Sequence, residues 1–270
     1  MRHTLARPAL ERGLGSLEGT RLKLARGRRH IEDLREALEV HFQPEPYRVI
    51  RREDEHGDLV YSVQVVNELP TELGAIVGDA IHNTRSALDL LCWQLVTAGG
   101  GRPDRNTSFP MPQSERGFDG VAQRCLAGAS SRTVRFIKRL KPWPGGNETL
   151  FQLHQLDIAD KHRLILVVGT AHRNIVLNLQ MQVPWQEEPV RFPPLALKPA
   201  DRQFPLADGT EMYRVKAAAR SGLADGEPQF TFEPCFGEEG DVRGLPILST
   251  LERIHDHVSR IVQIADRQLL

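Results

Sequence analysis

At 270 residues the chain can bury a sizeable core, as one large domain or two modest ones. Hydrophobic residues make up 40% and charged residues 26%, ordinary values for a soluble globular protein, and 35 basic residues balance 35 acidic ones. Without net charge there is no global field to draw the chain to nucleic acid or an anionic membrane, and no apolar run approaches the ~18 residues of a spanning helix.

The cysteines are three, Cys92, Cys125 and Cys235, far apart and without a CxxC pair. That count argues against a disulfide framework and a cysteine-based zinc site. Only six of the 35 basic residues are lysine, a skew typical of a GC-rich bacterial genome. The start, Met1 to Pro8, lacks the apolar run of a signal peptide, so a cytoplasmic protein is expected.

The spacing predicts a first helix over about 14–42, where Leu17, Leu24, Ile31 and Leu38 recur every seven residues with Leu34 between them. Pro44 and Pro46 end it. Residues 47–53 and 59–66 flank Glu55-His56-Gly57-Asp58 and read as a hairpin. A second helix, about 71–98, carries Val77, Ile81, Thr84, Leu88, Leu91 and Leu95 at the 4-3-4-3-4 spacing of a packed seam and stops at Gly99-Gly100-Gly101. A loop over about 99–114 leads to a short basic helix near 131–140, and a further helix is predicted over 147–163. Ile175, Leu177, Leu179, Met181 and Val183 alternate as in a one-faced antiparallel strand, with weaker strands near 164–168, 211–218 and 229–233. A last helix has Ser249 and Glu252 as a capping box, then Ile247, Leu251, Ile254, Val258, Ile261 and Ala265 as its seam.

The expected fold is α+β: a helical bundle with a β-hairpin and a mainly antiparallel β-rich segment. Residues 1–163 would hold the bundle with the hairpin at 47–66, residues 164–245 the β-rich segment, and residues 246–270 a C-terminal helix returning to the bundle.

Two helical segments carry more polar groups than core helices normally do. In the second helix Asp79, His82, Asn83, Arg85, Ser86 and Asp89 accompany the apolar seam, with His82, Ser86, Asp89 and Trp93 on one stripe and Arg85 within reach of Asp89. In the fourth, His154, Asp157 and Lys161 share one face, while Asp160 falls in the apolar series Leu153, Leu156, Leu164 and His162 lies on the other flank. A carboxylate on a buried stripe needs a cation or donors. Arg85 or His82 is the expected partner of Asp160, so that Asp160→Ala would cost ~3–5 kcal/mol and Asp157→Ala little. Either set is a site between helices or a hydrogen-bonded network fixing their register. Asp79/His82 and His154/Asp157 each place a carboxylate and an imidazole one turn apart, as metal-binding bundles do, but the glutamates such bundles add are missing, and no metal is assigned. No cofactor is identified. His255 and His257, two apart, face opposite sides of their helix. Walker A, HExxH and GxSxG motifs are absent. Arg132, Arg135, Lys138, Arg139 and Lys141 form a basic cluster without nearby acids, open to phosphates or to solvent.

The segments Gly78-Asp79-Ala80-Ile81-His82-Asn83-Thr84-Arg85-Ser86-Ala87-Leu88-Asp89 and Asp160-Lys161-His162-Arg163 resemble motifs shared by a group of bacterial proteins of uncharacterised activity. The chain loosely resembles HEPN domains, helical bundles often used as ribonucleases, whose Arg-to-His spacing fits Arg35…His41 and Arg51…His56. Two functions follow. One is a structural, regulatory or partner-binding cytoplasmic protein, whose seams could also form a homodimer. The other is a HEPN-like nuclease or other hydrolase: His82 or His162 as general acid/base, Arg85 and Lys161 on a developing anion, and Asp89 or Asp160 orienting the imidazole. Asp79, Asn83, His154 and Asp157 would line that site.

Overall fold

The computed structural model describes residues 17–165, 167–177, 180–181, 190–191, 195–197, 206–218, 229–237 and 240–270. The chain divides into two compact units, one of Met1–Arg35, Gly74–Ile165 and Leu248–Leu270, the other of Glu36–Leu73 and Leu166–Ile247. The fold class is α+β, as the periodicities predict.

The helices are α1 (Glu18–Phe42), α2 (Glu72–Ala98), α3 (Phe118–Cys125), α4 (Ser131–Arg139), α5 (Glu148–His162) and α6 (Ile247–Leu269). Every residue of the α2 and α6 seams is buried. Each buried Leu or Ile contributes ~1.5–3 kcal/mol. Gly74 and Gly78 cost α2 ~1 kcal/mol each, so the seam wins. Side-chain contacts place the long helices of the first unit in a ring. Arg21 meets Asp266 at 2.8 Å, and Arg28 and Arg35 reach Asp256 and Glu252 further along α6. A Cβ on Gly19 would stand 3.7 Å from Leu90, Lys23 donates to Asn83 at 3.1 Å, and a Cβ on Gly27 would stand 3.4 Å from the Ala80 carbonyl. Gly78 faces Asp160 and His82 faces Asp157, Asn147 meets His257 at 2.9 Å, and Arg253 donates to Gln152 at 2.7 Å. In each pair numbers rise on one helix as they fall on the other, so α1, α2, α5 and α6 run up-down-up-down.

Three details differ from the predicted pattern. The last helix starts at Ile247, so Ser249 lies inside its first turn rather than at its cap. Glu115–Gly117 and α3 form where no element is predicted; α3 buries only Phe118 and Ala122, too few for a visible period, and Phe118 packs edge-on against Trp143 at 5.8 Å. Lys138 is not without acidic relief, because Asp119 of α3 lies 2.8 Å from its ammonium.

In the second unit, β1 (Tyr47–Glu53) and β2 (Leu59–Val65) form the predicted hairpin, with Gly57 at φ 76° where a side chain would be strained. A third strand, β7 (Glu211–Val215), completes the sheet β1-β2-β7. The buried Asp58 carboxylate holds that join, accepting from Lys216 at 2.8 Å and from the Ala217 amide at 2.9 Å. In chain order the hairpin lies between the helices; by its contacts it belongs with the strands of the second unit. The second sheet, β6-β3-β8, comprises Leu195–Leu197, Val167–Leu177 and Gln229–Phe236, while β4 (Gln180–Met181) pairs with β5 (Val190–Arg191). The alternating run at 175–183 is thus divided between β3 and β4, and Leu179 and Val183 lie outside the described residues. Tyr47, Val63 and Met212 are the core, with Phe232 5.0 Å from the Tyr47 ring.

Candidate functional site between α2 and α5

The two polar segments face each other across the antiparallel α2–α5 contact. Gly78 allows the approach: a Cβ there would overlap the Asp160 carboxylate. One turn on, His82 Nδ1 lies 3.6 Å from Asp157 Oδ1. The Asp157 side chain is 3% exposed and the His82 side chain 51%. Lys161 donates to Asp157 Oδ2 at 2.6 Å, but the buried Oδ1 has no hydrogen-bond partner. An unmet buried acceptor costs about 1–3 kcal/mol. On the opposite edge of the imidazole, Nε2 lies 3.4 Å from Ser86 Oγ. Serine, imidazole and carboxylate therefore stand in line, with the carboxylate dry and the imidazole at the surface.

The expected partnership of Asp160 is corrected. Asp157, four residues after Leu153 and seven after Leu150, occupies the buried stripe, whereas Asp160 is half-buried in the last turn. Burial raises the Asp160 pKa, with His82 opposing and Asp157 and Asp79 reinforcing that shift. His154, half-buried on the same face, is lowered by burial and by the charge of Arg85.

Arg85 and Asp89 do different work. Arg85 is buried, donates to Asp89 Oδ1 at 2.6 Å and to the Phe109 carbonyl at 3.1 Å, and Asp89 Oδ1 accepts from the Phe109 amide at 2.8 Å. The pair clamps the backbone of the 99–114 loop. Arg85 is thus turned onto Asp89 and the Phe109 backbone, and Asp89 pairs with Arg85 rather than with an imidazole. Asn83 bridges Lys23 and the Asp79 carbonyl, with Asp79 itself exposed. His162 is exposed and joins none of these contacts. Arg35, at the start of one Arg-to-His spacing, is engaged by Glu252, and His56, at the end of the other, is exposed on the hairpin.

Among the described residues no three His, Cys, Asp or Glu side chains are grouped to hold a metal ion. No described helix is long and apolar enough to cross a membrane. His255 faces α1, with Nε2 2.9 Å from the Leu24 carbonyl, while His257 faces the N-cap of α5. Sequence reasoning placed Ser86 on the right stripe without giving it a role; its i,i+4 relation to His82 was the available signal. Nothing local marked Phe109, twenty residues from Asp89. No family model, curated protein or solved structure matches the chain.

Proposed function

We infer that the α2–α5 contact is the acid–base site of a hydrolase. The observation that carries this is the dry, unpartnered Asp157 Oδ1 beside the Nδ1 of a half-exposed His82. A buried carboxylate there favours the tautomer with hydrogen on Nδ1 and stabilises the imidazolium that forms when Nε2 takes a proton. Nε2 would take it from an attacking water or from Ser86 and return it to the leaving group. Lys161, 55% exposed and held by Asp157 Oδ2 at 2.6 Å, sets a cation beside the site where an anion would develop. A HEPN-like nuclease is one member of this class. Three free cysteines, two of them buried, support a cytoplasmic location.

The test is turnover of phosphodiester and carboxylic ester substrates by the wild-type protein. His82→Ala and Asp157→Asn should each lower it by ~10²–10⁴-fold, the usual worth of a positioned acid–base group. Both substitutions should leave the helical circular dichroism intact. Turnover that survives His82→Ala overturns the assignment. The Arg85–Asp89–Phe109 clamp favours the second reading, a structural, regulatory or partner-binding bundle, homodimeric through its seams. That reading gains if the wild-type protein turns over none of these substrates and sediments as a dimer.

A further inference from the structure

We propose that the exposed face of α4 binds the phosphodiester backbone of a nucleic acid. Net neutrality conceals a segregation of charge. Residues 99–146 carry nine of the 35 basic residues and only three of the 35 acidic ones, leaving the rest of the chain with an acidic excess. A solvated surface without a partner normally mixes both signs. Here Arg132, Arg135, Arg139 and Lys141 are all exposed, and among the described residues none has an acidic partner. Lys138 does, in Asp119, and is not part of the surface.

The fold fixes the direction in which these cations point. Thr133, Phe136 and Ile137 are buried, so α4 is held by its apolar face. Ser130 caps it by accepting from the Thr133 amide at 3.1 Å. Arg132, Arg135 and Arg139, spaced three and four apart, share the other side over about 10 Å of helix. That length matches the axial rise of about three nucleotides of one strand, at ~3.4 Å each. An anionic membrane is the poorer partner. Interfacial helices insert large apolar side chains beside their cations, and none of the large exposed apolar residues falls within 99–146.

This surface goes beyond the hydrolase reading and stands independently of it, so binding is measured on His82→Ala as well as on wild type. Fluorescence anisotropy with a labelled single-stranded RNA and with a duplex DNA should show binding by both proteins to at least one of them. With four cations engaged, log K should fall against log salt with a slope of about −3. Replacing Arg132, Arg135 and Arg139 by Ala should weaken binding at least tenfold and remove about two to three of that slope. Removing three exposed arginines elsewhere, Arg26, Arg260 and Arg267, should change it much less. The proposal is overturned if neither nucleic acid binds, if both triple variants weaken binding equally, or if the protein binds only phosphatidylserine vesicles. Loss of binding confined to His82→Ala would overturn it too and assign the contact to the α2–α5 site.

Discussion

Asp157 and Asp160 lie three residues apart on one helix and answer differently to burial. Asp160 keeps partial access to water at the end of α5, and burial raises its pKa. Its charged form is disfavoured by the fold, so the penalty is full above the folded pKa and absent below the unfolded value of 3.8. Asp160→Asn should therefore match or exceed wild-type stability at pH 7, by no more than about 1 kcal/mol, and lose that gain near pH 3.5. Urea titrations at the two pH values check this; a large loss at pH 7 would restore Asp160 to a structural pair. His255 gives the opposite pH slope. Its Nε2 donates to the Leu24 carbonyl at 2.9 Å and its Nδ1 accepts from Arg28 at 3.0 Å, a pattern only the neutral ring can satisfy. Burial lowers its pKa, with Arg28 acting in the same direction and the Leu24 carbonyl and Asp256 opposing. The unfolded chain binds the proton more readily, so stability is complete above pH 6.5 and falls as pH drops through the folded pKa. His255→Gln should shallow that decline between pH 6.5 and 5 in chemical denaturation; an unchanged profile would place the sensitivity in the half-buried His41, His154 and His257.

At the scale of the elements, the 99–114 loop is held by a charge pair on α2. Asp89→Ala removes the acceptor for the Phe109 amide and strands the buried Arg85 guanidinium. Stranding one member of a buried pair costs ~3–5 kcal/mol, and partial exposure of Asp89 reduces this to about 2 kcal/mol. The Phe109 amide should then exchange hydrogen faster while the α6 amides keep their protection. Uniform loss across the bundle would show that the clamp supports more than the loop. Gly27 plays the matching role on α1. Its missing side chain lets the Thr84 turn come close, and a Cβ would stand 2.8 Å from the hydroxyl. Gly27→Val should lower stability by about 1–3 kcal/mol through overpacking, with Thr84→Ala recovering part of it in a double-mutant cycle.

For the whole molecule, the bundle is closed by the segment most distant in sequence. α6 supplies six buried seam residues and meets α1 and α5 through Arg28, Arg35, Asn147 and Gln152. Truncation before Leu248 would remove that apolar seam and the partners of Arg28, Arg35, Asn147 and Gln152, leaving the faces that α6 covers open to water. Size-exclusion chromatography should show aggregated material rather than a smaller monomer; a soluble, helical truncated monomer would mean that three helices suffice.

Several elements were legible because local repetition encodes them. The hairpin that the sequence predicts over 47–53 and 59–66 stands at Tyr47–Glu53 and Leu59–Val65, and the α2 and α6 seams are buried at every named position. Period alone states which side of an element is apolar. It does not state which element will cover that side. Three matters therefore waited for tertiary structure. β7 joins the hairpin from some 150 residues away, with Leu59 opposite Val215. The Phe109 backbone takes up Arg85 and Asp89, which periodicity could offer equally to a substrate. Asp157 replaces Asp160 as the buried carboxylate, because at 3.6 residues per turn both lie near the apolar stripe and only the neighbouring helix decides which is covered. The sequence by itself determined where charge and apolar surface lie along each helix; the packing of α2 on α5 decided that His82, rather than Arg85 or His162, stands at the surface with a dry carboxylate behind it.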